Sequence, residues 1–104
     1  MITFDSKKVI NPNAFKEVLL VGGVQGVTIH VTERGLVLVV CIGGENRVLG
    51  QYRGGPRFFR TFDAAVSLLT QHGIYRFEAD VTGWQPKTLT RKGGELLVGA
   101  GIEP

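Results

Sequence analysis

Val27, Ile29 and Val31 alternate with Thr28 and His30, the pattern of a strand with one wet face. After Thr32-Glu33-Arg34-Gly35, a short hairpin connection, every position from Leu36 to Ile42 is apolar. A valine-rich run of that kind is buried on both faces, so the pattern puts 36–42 in the middle of a sheet. Gly43-Gly44-Glu45-Asn46 supplies the next turn, and Arg47 to Arg53 reads as a third strand. Gly50 marks a bulge or a close backbone approach within it. Further on, Tyr75, Phe77, Ala79 and Val81 alternate with Arg76, Glu78 and Asp80, which predicts a returning strand.

Helical spacing is clearest between Phe62 and His72, where Phe62, Ala65, Val66 and Leu69 make one apolar face. Thr61 is its N-cap, Asp63 suits the dipole of the first turn, and Gly73 ends it. Residues 12–21 carry two signals. Asn11-Pro12 looks like a cap with proline at the first helical position, yet Val18-Leu19-Leu20-Val21 before Gly22-Gly23 fits a strand. The expectation is one helical turn near 12–15 and then a strand. The whole predicts an α+β fold: a mainly antiparallel sheet of about five strands, with one principal helix (62–72) on one face to cover its apolar stripe. Residues 1–86 are expected to form a single domain and 87–104 a loosely ordered tail.

Composition adds limits. Of 104 residues, 43% are apolar and 20% charged, which is ordinary for a globular chain and excludes disorder throughout. Cys41 is the only cysteine, so no internal disulfide forms, and its apolar neighbours suggest a small buried hydrophobe. The start lacks a basic segment followed by an apolar one. The longest apolar run is seven residues, well short of the roughly 20 that span a bilayer. The expected compartment is the cytoplasm, with no membrane partner.

The net charge of +3 permits an acidic partner without demanding one. Its distribution says more: no acidic residue occurs from Asn46 to Phe62, a window that holds Arg47, Arg53, Arg57 and Arg60. Within it, Arg53-Gly54-Gly55-Pro56-Arg57-Phe58-Phe59-Arg60 crowds cations and aromatics together. If 57–60 is extended, Arg57 and Phe59 face one way and Phe58 and Arg60 the other. Two readings stand side by side. Arg47, Arg53, Arg57 and Arg60 contact phosphates while Phe58 or Phe59 stacks on a base, with Tyr52 widening the surface. Alternatively, both faces are covered and the arginines pair with Glu78, Asp80 or Asp63.

Catalytic signals are sparse. His30 and His72 belong to no zinc-spaced cluster, and no phosphate-loop, nucleophile-elbow or zincin motif occurs. Glu78 and Asp80 share a strand face, which serves acid–base chemistry or mere solvation. Gly22-Gly23-Val24-Gln25-Gly26 lacks the lysine of a phosphate loop and reads as a strand-to-strand turn. Trp84 reads as a lid over one end of the core. No enzyme activity and no cofactor is implied.

Three stretches resemble a family of small ParC-like, partition-associated proteins of bacterial plasmids and integrated conjugative elements. They are Thr32-Glu33-Arg34-Gly35-Leu36, Gly54-Gly55-Pro56-Arg57-Phe58-Phe59-Arg60-Thr61-Phe62-Asp63-Ala64-Ala65 and Gly73-Ile74-Tyr75-Arg76-Phe77. The resemblance implies a role near plasmid maintenance or partition and carries over no catalytic residue; together with the arginine cluster, the expectation is a partner that is DNA or a DNA-bound complex. A homodimerisation or protein-interaction module is the competing expectation.

Overall fold

A computed structural model of the chain describes residues 8–84, in which a five-stranded mixed sheet carries two helices. In chain order the elements are β1 (Val9–Ile10), α1 (Pro12–Leu20), β2 (Val24–Thr32), β3 (Gly35–Ile42), β4 (Glu45–Leu49), α2 (Phe62–Gln71) and β5 (Glu78–Asp80). The strands lie in the order β1-β4-β3-β2-β5. The apolar run 36–42 is the central strand, as its pattern predicts. It pairs antiparallel with β2 on one side and β4 on the other. Gly43 and Gly44, both at positive φ, form the two-residue turn between β3 and β4.

The edges depart from expectation. β1 runs parallel to β4, and β5 runs parallel to β2. Residue patterns report which face of a strand is buried, not the direction of its neighbour. The returning strand is short: the ladder takes only Glu78 to Asp80, and Tyr75 to Phe77 precede it without pairing. Likewise β4 ends at Leu49, and Gln51 to Arg53 belong to a turn.

The largest correction is α1. The apolar run 18–21 is not a strand; the helix begun at Pro12 continues to Leu20. Asn11 Oδ1 accepts the Ala14 N–H at 2.9 Å, which starts it. Gly22, at φ +75, ends it: the Gly23 N–H donates to Val18 O at 2.8 Å and the Gly22 N–H to Leu19 O at 3.1 Å. Of the Gly-rich stretch 22–26, Gly22-Gly23 therefore joins a helix to a strand rather than two strands, and Val24-Gln25-Gly26 already belongs to β2. α2 is built alike. Thr61 Oγ1 accepts the Ala64 N–H at 3.0 Å, and Gly73 closes the other end with Ile74 N–H bonded to Leu69 O at 2.9 Å.

Both helices cover one face of the sheet. Phe15 of α1 and Ala65 and Leu69 of α2 share a buried cluster with Val27, Ile29, Leu36, Leu38, Val40, Leu49 and Phe59. The opposite face carries a smaller cluster: Val37, Val39 and Val48, with Val9 and Phe58 packed against them. β3 thus contributes alternate residues to two cores, the physical meaning of its unbroken apolar run. Cys41 is half-buried at one end of this second face, with Sγ 3.5 Å from Gln25 Oε1. Trp84, the last of the described residues, is 36% exposed. The expected tail, 87–104, lies outside the described residues, and among these no helix is long and apolar enough to cross a membrane.

Candidate functional site

The segment 50–60 is an excursion from the sheet that returns to it. The Gly50 N–H donates to Ile10 O at 2.8 Å as the chain leaves β4. A Cβ there would lie 2.9 Å from Gly55 O and collide with Val9, so the site needs glycine for space. The loop is tied across its neck by Gln51 N–H to Gly55 O at 2.9 Å and by Gln51 Nε2 to Pro56 O at 3.2 Å. On its return the Arg57 N–H donates to Leu49 O, and Phe59 exchanges both backbone hydrogen bonds with Leu36, at 2.8 and 2.9 Å. Residues 57–60 are therefore joined to β3 by one bridge and are not a full strand.

That bridge separates the two phenylalanines. Phe59 is buried in the helix-side core, with the Arg57 guanidinium 4.7 Å from its ring centroid. Phe58 lies in the cluster on the other face, and the cation over its ring is Arg34, at 4.9 Å. Neither ring is an open stacking platform. Arg47 lies on the helix side of β4 and bonds Glu45 at 3.0 Å, so it is partly neutralised. Arg53 is exposed in the loop turn, and Arg60 is exposed just before the α2 cap. The six residues singled out in the sequence thus divide among two faces and a loop. The pairing of arginines with Glu78, Asp80 or Asp63 is not found among the described residues.

What the fold does assemble lies between the helices. Tyr52 stands out from the loop, 68% exposed, and its hydroxyl accepts a hydrogen bond from Lys16 Nζ of α1 at 3.0 Å. Lys16, Tyr52, Arg57 and His72 rim a cleft of about 120 Å³ whose apolar walls include Phe15, Leu49 and Leu68. His72 packs edge-on against Phe15 at 5.5 Å, and its Nδ1 lies 2.9 Å from Leu68 O. A carbonyl oxygen only accepts, so Nδ1 carries the proton of that bond. Reading the sequence missed Lys16 and treated His72 only as a helix end. The missing signal is the length of α1: Lys16 lies within the helix, on its exposed side, where its Nζ reaches Tyr52 of the loop.

On the second face, a groove of about 400 Å³ is lined by Thr28, Cys41, Asn46, Arg76 and Glu78 among others. His30 Nδ1 stands 3.9 Å from Asp80 across the β2–β5 ladder. Hydrogen bonds from Thr82, side chain first and then backbone, hold the Asp80 carboxyl below its ordinary value, and His30 adds to the effect. Glu78 and Asp80 are both exposed, and His30 and Asp80 do not line the groove that Glu78 reaches. No three metal-ligating side chains gather among the described residues.

A family model described as ParC-like matches residues 10–88 of this chain. No characterised protein and no solved structure gives a significant match.

Proposed function

The chain belongs to the ParC-like family, and from that premise we propose that it is a non-enzymatic accessory protein of a plasmid or integrated mobile element, acting near partition or maintenance by binding nucleic acid. The observation that supports this most is the 50–60 loop. It presents exposed Arg53 and Arg57 near exposed Tyr52, with Arg60 exposed at the loop's far end, and no carboxylate occurs within it. Cations that track phosphates, with an aromatic ring on which a base can stack, are the elements of a sequence-tolerant nucleic-acid surface. The roles given to Phe58 and Phe59 pass to Tyr52, because those two rings are spent on packing. Arg47 is a lesser contributor, since Glu45 already holds it.

The test is the salt dependence of binding to single-stranded and duplex DNA, followed by fluorescence anisotropy. Affinity should fall with salt at a slope of about 0.7 to 0.9 per phosphate contacted, and Arg53→Ala should reduce that slope by about one. No binding at low salt, or a flat salt response, removes the proposal.

A second reading is a homodimer or protein-interaction module. It draws on the end of α1, where Leu20 and Val21 are 86% and 81% exposed. Sedimentation at rising concentration should then show association that Leu20→Lys abolishes; a monomer throughout argues against it.

A further inference from the structure

The cleft between α1 and α2 is lined by charge of one sign. Lys16 and Arg57 stand at its rim with His72 and the Tyr52 hydroxyl, and no Asp or Glu among the described residues lines it. Neither Lys16 nor Arg57 has a carboxylate partner among the described residues. Lys16 Nζ gives one N–H to Tyr52 and keeps two. Tyr52 accepts in that bond and keeps its own O–H to give. With the Nδ1 proton of His72 given to Leu68 O, the donors left to the cleft are Lys16, Arg57 and the Tyr52 hydroxyl. Donors gathered beside apolar walls make stronger charge-assisted hydrogen bonds than they would in open water.

The cleft, of about 120 Å³, has room for an oxyanion group. A second hollow, of about 460 Å³, adjoins it and shares Lys16 and His72, and among the described residues Leu19 and Leu20 also line it. It offers apolar surface to whatever carries the anion.

We infer that this cleft binds a small phosphate or carboxylate borne on an apolar or aromatic body. The oxyanion sits among Lys16, Tyr52 and Arg57, and the body lies over Leu19 and Leu20. This goes beyond the nucleic-acid reading, and its probes contain no polynucleotide, so either can fail without the other.

The test is an NMR titration of the full chain with phenyl phosphate, phenylacetate, inorganic phosphate and benzyl alcohol. At least one aromatic anion should shift the Lys16, Tyr52 and His72 signals saturably, and the tighter of the two identifies the oxyanion. Inorganic phosphate should bind about tenfold more weakly than phenyl phosphate, the effect of covering a phenyl-sized apolar area. Lys16→Met, an exposed position, should weaken binding by about tenfold with the thermal midpoint unchanged. The inference is overturned if neither aromatic anion saturates these signals, if benzyl alcohol matches them, or if Lys16→Met binds as well as the parent.

Discussion

The two faces of the sheet use the same central strand for different ends. On the helix side, Leu36, Leu38 and Val40 meet side chains from both helices, β2, β4 and the returning segment at Phe59. On the other side, Val37, Val39 and Val48 make a small apolar island bordered by Thr28, His30, Cys41 and Asn46. Adjacent Phe59 and Phe58 go one to each. The difference teaches that an aromatic pair beside arginines is not by itself a binding surface. One backbone bridge to Leu36 is enough to send the rings apart.

That contrast can be broken by substitution. Phe59→Ala should cost the most, about 3 to 5 kcal/mol, because it opens a cavity in the larger core. Phe58→Ala should cost about 1 to 2 kcal/mol, since the ring is only half-buried. Urea denaturation of the two variants reads the gap. Equal costs would mean that the second face carries as much of the fold as the first.

Gly35→Ala attacks the bridge itself. Gly35 has φ +135, and a Cβ there would lie 2.8 Å from Phe59 O. Strain and clash together should cost about 1 to 3 kcal/mol and loosen both rings, visible as faster amide exchange at Leu36 and Phe59. A smaller effect belongs to the helix caps. Asn11→Ala and Thr61→Ala should each cost about 1 kcal/mol. Similar losses would confirm that α1 and α2 are held by the same device.

The smallest effect concerns β5 at the edge of the second face. Asp80 has a lowered pKa in the folded chain, so its stabilising contribution is present above the value of an unstructured aspartate. It is lost as pH falls through the lower folded value. An NMR titration should place the Asp80 midpoint below that of the same residue in a short peptide, and Thr82→Ala should raise it. A midpoint at the peptide value would show that the Thr82 bonds do not persist in solution.

Local chemistry made much of this fold legible. The caps at Asn11 and Thr61, the apolar stripe of α2, the turn at Gly43-Gly44 and the double burial of 36–40 are all settled within a few residues. The family motifs are of the same local kind. The α1 error shows the limit, because an apolar run of four residues satisfies a helix and a strand equally. The decision rests on a cap seven residues earlier and a glycine just after it.

The candidate site was less legible than the fold. Arg53, Arg57 and Arg60 are visible as charges in the sequence, but exposure is a property of the assembled surface. Lys16 and His72 are 56 residues apart, and nothing in the residues between them predicts that they share a rim. By itself, then, the sequence determined the element types outside 16–21, the caps and the centre of the sheet, since those depend on backbone geometry and short-range periodicity. Only the tertiary structure decided strand direction at the edges, which phenylalanine went to which core, and which cations met. Those outcomes depend on how separate elements pack, and packing couples residues that no local pattern connects.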